Sequence, residues 1–180
     1  EIDLTELIKP DDISEIKNSK HLIIKPIGGR DYDYIGWNNI DPGVYNSSKK
    51  IIPNKLFSDA HTRRALTLAI NRKEILNEYL SGYGQLANGP VSPIFKYALD
   101  SSQTPYAYDL KAAKELLKQA GWKDENNNGI LERNNLEFKF TLYIPSGNPR
   151  RSYAGTVVKN NLKMLGVDVT IQTVEIGVLI

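Results

Sequence analysis

Near the carboxyl end of this 180-residue chain, an alternating apolar stretch, a helical stretch and a second alternating stretch follow one another. The first, LEFKFTLY, has apolar side chains at every second position from Leu136 to Leu142 and stops at Pro145. The second, VDVTIQTV, alternates in the same way from Val167. The order strand, helix, strand predicts a right-handed crossover between two parallel neighbours. Because a chain of this length supports one core, or one lobe of a larger molecule, the expected class is α/β.

Helix start signals precede this unit. Ser58 or Asp59 is expected to cap one helix, and Asp109 to cap the amphipathic helix LKAAKELLKQA. Asn71 followed by Glu74 predicts a capping box at the start of another helix. The sequence therefore predicts several helices packed against the parallel strands.

The first forty residues contain two further stretches with strand patterns. HLIIKPI and DYDYIGWNN are separated by Gly28 and Gly29, which predicts two strands joined by a tight turn. The stretch from Gly82 to Pro105 is rich in Gly, Pro, Ser and Tyr. A loop of that length indicates either a functional segment or one that packs over another part of a larger molecule.

Composition excludes several classes of function. The 23 basic and 21 acidic residues are mixed along the chain and leave a net charge of only +2, so nucleic acid is not an expected partner. Cysteine is absent, and the two histidines, His21 and His61, have no second histidine or nucleophile at a useful spacing. We therefore expect no catalytic residues, no metal ligands and no cofactor, and interpret the chain as non-enzymatic.

No apolar run reaches the ~18 residues that span a bilayer. The first residues, EIDLTELIKPDD, lack the pattern of a signal peptide. If the protein is exported, its signal is expected to lie outside this sequence.

The stretch DENNNGILERNN resembles the start of an oxygen-ligand calcium loop. Asp124, Asn126 and Asn128 alternate before Gly129, as in such a loop. The twelfth position, however, is Asn135, where a bidentate carboxylate is needed, and a strand follows where a helix should stand. We therefore interpret the stretch as a polar turn whose Asn and Gly residues adopt left-handed backbone angles.

Several motifs in collinear order resemble family 5 extracellular solute-binding proteins, the dipeptide, oligopeptide and nickel receptors of ABC importers. SDAHTRRALTLAINRKE is similar to the family pattern of an Asp, an Arg-x-Ala-Leu and an Ala-Ile-(Asp/Asn)-(Arg/Lys). Four further segments resemble family motifs in the same order: GWNN, GPVSPIF, YDLKAAKELLKQAGW and LKMLGVDVTIQTVE. The resemblance covers essentially the whole chain, although the amino-terminal and carboxyl-terminal portions of full-length members have no counterpart here.

The resemblance implies a mixed sheet flanked by helices, as one lobe of the two-lobe, type II periplasmic-binding-protein-like fold. Residues 1–180 are expected to be a single lobe or fragment, with residues 1–40 as strands near the interlobe crossover and residues 41–180 as a helix-rich α/β lobe. The implied function is to capture oligopeptides or dipeptides by lobe closure and deliver them to the permease of an ABC importer. A nickel or other small-solute receptor and an accessory lobe of an enzyme are the alternatives.

The implied partners are a peptide or small solute and the permease subunits of the ABC transporter. The resemblance implies a monomer in the periplasm or at the cell surface. Contact with a membrane is expected only through the permease or an anchor of the parent protein, and lipid anchoring is left open.

Candidate ligand-binding residues follow from the family positions of two segments. One is the aromatic strand before residue 40, and the other is the loop after the first parallel strand, because open α/β sheets bind ligands at the carboxyl ends of strands. For Trp37 and Tyr34 the alternative is a place in the core, and for the loop it is an ordinary solvated turn. Arg150 and Arg151 are expected to be solvated, with a peptide carboxylate as their alternative partner. The candidates are Tyr34, Trp37, Asn38, Pro145, Ser146, Gly147 and Asn148.

Overall fold

Helices and strands succeed one another along the chain in a computed structural model that describes residues 4–5, 8–100, 102 and 104–179. The α-helices are α1 Ile13–Asn18, α2 Pro42–Ser48, α3 Ala60–Ala69, α4 Arg72–Glu74, α5 Leu110–Gln119, α6 Pro149–Lys163 and α7 Ile176–Leu179. The strands are β1 Glu132–Arg133, β2 Leu136–Glu137, β3 Lys139–Pro145 and β4 Asp168–Val174. Two 3₁₀ turns, Pro10–Asp12 and Lys96–Ala98, and a π-helical segment, Ile75–Tyr79, complete the elements.

The chain divides into two compact units, each built from two segments. Residues 1–32 and 72–105 form the smaller unit, and residues 33–71 and 106–180 form the larger unit. The predicted treatment of residues 1–180 as one lobe stays a prediction.

The larger unit contains the predicted parallel pair. β3 and β4 run parallel, in register from Lys139 opposite Asp168 to Pro145 opposite Val174, and α6 connects them. The alternation predicted for this segment is confirmed, since Phe138 is fully buried and Phe140 and Leu142 pack against the core. β1 and β2 form a separate antiparallel pair.

Helices α3 and α5 pack together against the parallel pair β3–β4, as their amphipathic patterns predict. Ala65, Leu66 and Ala69 of α3 are buried in the same cluster as Ala113 and Leu117 of α5. Buried apolar area of this kind is the main favourable term in folding, at about 25 cal/mol per Å². The core of the larger unit is therefore continuous from these helices to the strands.

Aspartate caps both helices, as predicted. The Asp109 side chain accepts a hydrogen bond from the Ala112 N–H at the start of α5. The Asp59 Oδ2 atom accepts from the Thr62 N–H at 2.8 Å and from the Thr62 hydroxyl at 2.8 Å. Burial alone would raise the pKa of Asp59, but hydrogen bonds from Thr62 and His61 outweigh it and hold the pKa below its ordinary value of 3.8.

We expect the stabilising effect of Asp59 to depend on pH. Asp59→Ala should lower the free energy of unfolding by about 1 kcal/mol at neutral pH, because an N-terminal donor of α3 loses its acceptor. A carboxylate whose folded pKa is depressed contributes fully above its unfolded value of 3.8, and the contribution is lost as pH falls through the lower folded value. Urea unfolding at pH 7 and near pH 3 measures this. Asp31→Ala, at an exposed position, is the control, and an Asp59 effect that persists unchanged in acid would contradict the prediction.

The smaller unit has short elements tied together by local polar contacts. The Ser92 hydroxyl, buried in this unit, donates to the Gly29 carbonyl at 3.1 Å. The Arg72 guanidinium donates to the Ala87 carbonyl at 3.2 Å, and burial lowers the pKa of Arg72. The predicted long loop after Gly82 is confirmed, since the described residues there contain only the 3₁₀ turn at Lys96–Ala98.

The predicted hairpin in the first forty residues is wrong. Residues 21–39 contain no paired strand, and the first bridge along this part of the described chain joins Ile40 to Pro53. Alternation indicates which face a side chain would take, but a strand also needs a partner for its backbone groups. The boundary between the two units falls inside the second of these stretches, between Tyr32 and Asp33.

The start of α4 differs in one respect from a simple capping box. The Asn71 N–H donates to the Asn161 Oδ1 atom at 2.7 Å, and Asn161 is buried on α6. In a capping box this N–H is satisfied by the glutamate three residues later. The pairing of Asn71 with Glu74 stays a prediction, while Asn161 is a partner that local sequence does not reveal.

Candidate functional site

The loop between β3 and α6 lies at the carboxyl end of the parallel pair. Pro145 is buried, whereas Ser146 and Gly147 are exposed and Asn148 is half-buried. Gly147 has a φ of 72°, a left-handed value that favours glycine. The structure therefore brings the four predicted loop residues to the edge where open α/β sheets bind ligands.

Each polar residue of this loop also has a structural contact. The Ser146 N–H donates to the Val174 carbonyl at 2.8 Å, and its hydroxyl donates to the Glu175 Oε1 atom at 2.8 Å. The Asn148 Oδ1 atom accepts from the Arg151 N–H at 3.1 Å and so caps α6. Asn148 is thus a helix cap, and a role in ligand binding would be additional to that one.

Two arginines follow the cap and meet a single carboxylate. The Arg151 Nε atom donates to the Asp33 Oδ1 atom at 2.8 Å. The Arg150 Nε atom lies 2.7 Å from the Asp33 Oδ2 atom, as an ion pair without the alignment of a hydrogen bond. Both arginines are partly exposed, as expected for a helix start, and they also pair with a carboxylate that the sequence did not identify. The physical reason is that adjacent positive charges at a helix N-terminus oppose the helix dipole and favour a nearby carboxylate.

The aromatic segment that follows Asp33 is divided between the core and the surface. Trp37 packs against Phe57 with ring centroids 5.4 Å apart and against Phe140 with centroids 6.1 Å apart. Tyr34 is 80% exposed, and Asn38 is exposed. The core alternative is thus favoured for Trp37, while Tyr34 and Asn38 are exposed, and a role of these two in ligand binding stays a prediction.

Two residues near the predicted site are absent from the sequence-based set. Asp33 contacts both arginines of α6, and Glu175 accepts from the Ser146 hydroxyl. The pair of arginines at a helix start indicates that a carboxylate partner is needed. The sequence separation of 118 residues between Asp33 and Arg151 explains why pattern alone does not identify which one.

The calcium-like stretch is a polar turn in which candidate ligand oxygens accept hydrogen bonds from the turn itself. Asp124 Oδ1 accepts from the Asn128 N–H at 3.1 Å, and Asp124 Oδ2 accepts from the Gly129 N–H at 3.0 Å. Asn126 Nδ2 donates to the buried Glu132 Oε1 atom at 2.6 Å. The predicted left-handed angles are confirmed, with φ values of 60° at Asn127 and 85° at Gly129.

We expect calcium to have a negligible effect on the melting temperature. The Asp124 oxygens already bind the turn's N–H groups, and Asn135 supplies no bidentate carboxylate. A ligand at 100 times its dissociation constant would add about 2.7 kcal/mol, which a thermal melt detects readily. The comparison is a melt in millimolar calcium against millimolar magnesium. A calcium-specific rise that Asp124→Ala abolishes would contradict this expectation.

The described residues hold neither a cluster of metal ligands nor a helix that could span a membrane. Within residues 4–5, 8–100, 102 and 104–179, no group of three or more His, Asp or Glu side chains is arranged to hold a metal ion. Among those same residues, no helix has the length and apolar character that crossing a bilayer requires.

Known proteins match the chain over most of its length. The sequence profile of "Bacterial extracellular solute-binding proteins, family 5 Middle" matches residues 1–178. The oligopeptide-binding protein AppA of Bacillus subtilis is 38% identical over 150 residues, which are 83% of this chain and 25% of AppA. This chain therefore spans about a quarter of the length of that relative.

Solved structures of similar proteins have the same fold. The structure of AppA in complex with a nonapeptide matches 96% of this chain and 32% of that chain, with a TM-score of 0.77 and 35% identity. An oligopeptide-binding protein from Thermus thermophilus complexed with a pentapeptide matches 68% of this chain and 21% of its own, with a TM-score of 0.62 and 27% identity. NikZ from Campylobacter jejuni in complex with Ni(L-His) matches 69% of this chain and 24% of its own, with a TM-score of 0.61 and 28% identity.

These matches confirm the predicted fold class and the predicted family. The helices and strands described above are those of the family's α/β fold. The relatives that match are solute-binding proteins. The chain belongs to the bacterial extracellular solute-binding proteins of family 5.

Proposed function

We propose that this chain is part of the substrate-binding component of an ABC importer that captures oligopeptides or dipeptides and delivers them to a membrane permease. The observation that supports this most is the likeness to AppA, whose structure holds a nonapeptide and matches 96% of this chain at 35% identity. The parent protein would enclose its ligand by closing two lobes, a hinge motion in which only the closed state makes both sets of contacts.

A nickel or other small-solute receptor is the second candidate. The likeness to NikZ in complex with Ni(L-His) supports it, at 28% identity over 69% of this chain. The likeness to AppA is higher in both identity and coverage, so a peptide is the ligand we propose.

The remaining parts of the proposal follow from the family. The parent protein acts outside the cytoplasm as a monomer, without enzymatic activity, and meets the membrane only through the permease or an anchor. Its partners are the peptide ligand and the permease subunits. Residues 1–180 contribute one lobe or part of one.

Ligand contact is proposed for the exposed members of the predicted set. Ser146 and Gly147 are exposed at the carboxyl end of β3, and Tyr34 and Asn38 are exposed on the segment that follows Asp33. An aromatic side chain with an exposed face supplies large contact area at low entropic cost, which favours Tyr34 in particular. Trp37, Pro145 and Asn148 would act by holding these residues in place, through the core, the strand end and the helix cap.

The test is calorimetric titration of the full-length parent protein with a mixed peptide pool and, separately, with nickel and histidine. We expect saturable binding of peptides and not of nickel with histidine. Tyr34→Ala and Asn38→Ala should each weaken peptide binding about tenfold, which corresponds to about 1.4 kcal/mol.

The matched controls are Tyr97→Ala and Asn160→Ala, which remove the same side chains from other exposed positions. They should leave the dissociation constant unchanged. Binding of nickel with histidine and not of peptides would favour the second candidate. Equal losses in the test and control variants would contradict the assignment of Tyr34 and Asn38.

A further inference from the structure

The amino-terminal turn of α6 holds an unusual concentration of positive charge. Arg150 and Arg151 are the second and third residues of this helix, which begins at Pro149 and is capped by Asn148. The partial positive charge of a helix N-terminus disfavours cations there. Guanidinium groups bind carboxylates through directed N–H donors. Two of them in this place therefore form a surface that attracts an anionic group.

The anion that meets them is a side chain of the same unit. Asp33 uses both carboxylate oxygens, Oδ1 toward Arg151 at 2.8 Å and Oδ2 toward Arg150 at 2.7 Å. Only the Arg151 contact is aligned as a hydrogen bond. The Arg150 contact is consequently the weaker of the two, and the Arg150 Nε atom is itself buried.

The cluster is accessible from solvent. The side chains of Arg150, Arg151 and Asp33 are 41%, 38% and 34% exposed. A ligand carboxylate that approached this edge would reach the buried Arg150 Nε donor only by displacing Asp33. It would do so against a partner that is held in place by the chain and carries no translational cost.

We propose that Asp33 is a specificity-determining residue, a resident carboxylate that occupies Arg150 and Arg151 and keeps them from anchoring a carboxylate of the ligand. This inference rests on the proposed peptide-binding function. It predicts that Arg150 and Arg151 of the parent protein do not distinguish a peptide with a free carboxyl terminus from the same peptide with a carboxyl-terminal amide. The two forms should therefore bind with similar affinity. It also predicts that loss of Asp33 opens an anion site on the two arginines.

The experiment compares two forms of one peptide, with a free carboxyl terminus and with a carboxyl-terminal amide, by calorimetric titration of the full-length parent protein. Asp33→Asn should increase the preference for the free acid about tenfold, the effect expected of new charge-assisted hydrogen bonds. Asp31→Asn removes the same charge two residues earlier, at an exposed position, and should leave the preference unchanged. Adding Arg150→Gln and Arg151→Gln to Asp33→Asn should abolish the gain.

A second readout separates this proposal from the peptide function. The melting temperature of each variant is measured in sodium sulfate and in sodium chloride at equal ionic strength. Sulfate stabilises proteins generally, so the readout is the excess over the parent: Asp33→Asn should show a larger sulfate-dependent rise than the parent, and the two arginine substitutions should remove that excess. If no variant binds peptide but the sulfate effect appears, the proposed peptide function is contradicted. The same result supports the inference that Asp33 occupies Arg150 and Arg151.

Two results would overturn the proposal. One is a folded Asp33→Asn variant with neither an altered preference nor a sulfate response in excess of the parent's. The other is a loss of preference for the free acid when Arg150→Gln and Arg151→Gln are made in the otherwise unchanged parent, because the arginines would then already bind the ligand despite Asp33. This second comparison also decides the matter if Asp33→Asn does not fold.

Discussion

Replacing Phe138 with alanine is expected to lower the free energy of unfolding of the larger unit by about 3–5 kcal/mol, the range for large aromatic truncations in a core. Phe138 is fully buried between β2 and β3. Its ring stacks on Trp122 with centroids 4.2 Å apart and lies 6.3 Å from the Phe57 ring. The cavity would thus open at the point where helices and strands meet. Urea unfolding followed by tryptophan fluorescence measures the change.

Tyr143→Ala is the control for this prediction. Tyr143 lies on the opposite face of β3 and is about half exposed, so its removal should change the free energy of unfolding by about 0.5 kcal/mol or less. A Phe138 variant as stable as the Tyr143 variant would show that the core is not centred on this ring.

Gly155→Val is expected to cost about 2–3 kcal/mol, because α6 approaches the sheet closely at this glycine. A Cβ atom at Gly155 would clash with Ile144 Cδ1 of β3 and lie 3.8 Å from Ile171 Cδ1 of β4. Valine is a better helix former than glycine by a few tenths of a kcal/mol. The steric cost is larger and decides the sign. Thermal and urea unfolding measure it.

A double-mutant cycle identifies the clash. Ile144→Val removes the Cδ1 atom, so the cost of Gly155→Val should fall by about 1 kcal/mol in that background. Gly177→Val is the control, because a Cβ atom there meets nothing within 4 Å. Equal costs of Gly155→Val in both backgrounds would mean that Ile144 is not the obstacle.

Local periodicity is sufficient to predict the parallel strands of the larger unit and the helices α3 and α5 that pack on them. The alternation of β3 and β4 and the apolar stripe of α5 each describe a face that must be buried, and burial follows in the structure. The helix caps at Asp59 and Asp109 are also predictable from the sequence, because an N-cap depends on residues within three positions of the helix start.

Contacts between distant segments were not predictable in the same way. The pattern of residues 21–39 resembles a hairpin, but the boundary between the two units falls inside its second stretch, after Tyr32. The ion pairs of Asp33 with Arg150 and Arg151 depend on a fold that brings residues more than a hundred positions apart together. The same holds for Asn161, whose amide meets the N–H of Asn71 ninety positions away.

The candidate site was predictable in position and only partly in role. The rule that ligands bind at the carboxyl ends of strands identifies the loop after Pro145. It does not reveal that Asn148 caps α6 or that Trp37 packs on Phe57 and Phe140. Those roles depend on which neighbours are available in three dimensions.

The most direct test compares the 180-residue chain with its full-length parent protein in calorimetric titrations with the same peptide. This chain spans about a quarter of AppA, and one lobe covers only part of the surface of a ligand that two lobes enclose. Association carries its full translational and rotational cost however small the contact area is. Losing part of the contact area therefore removes a larger fraction of the net binding free energy. We predict saturable binding at micromolar concentrations for the parent and none for the chain alone. Tight binding by the 180 residues alone, or no peptide binding by the parent, would contradict the proposal.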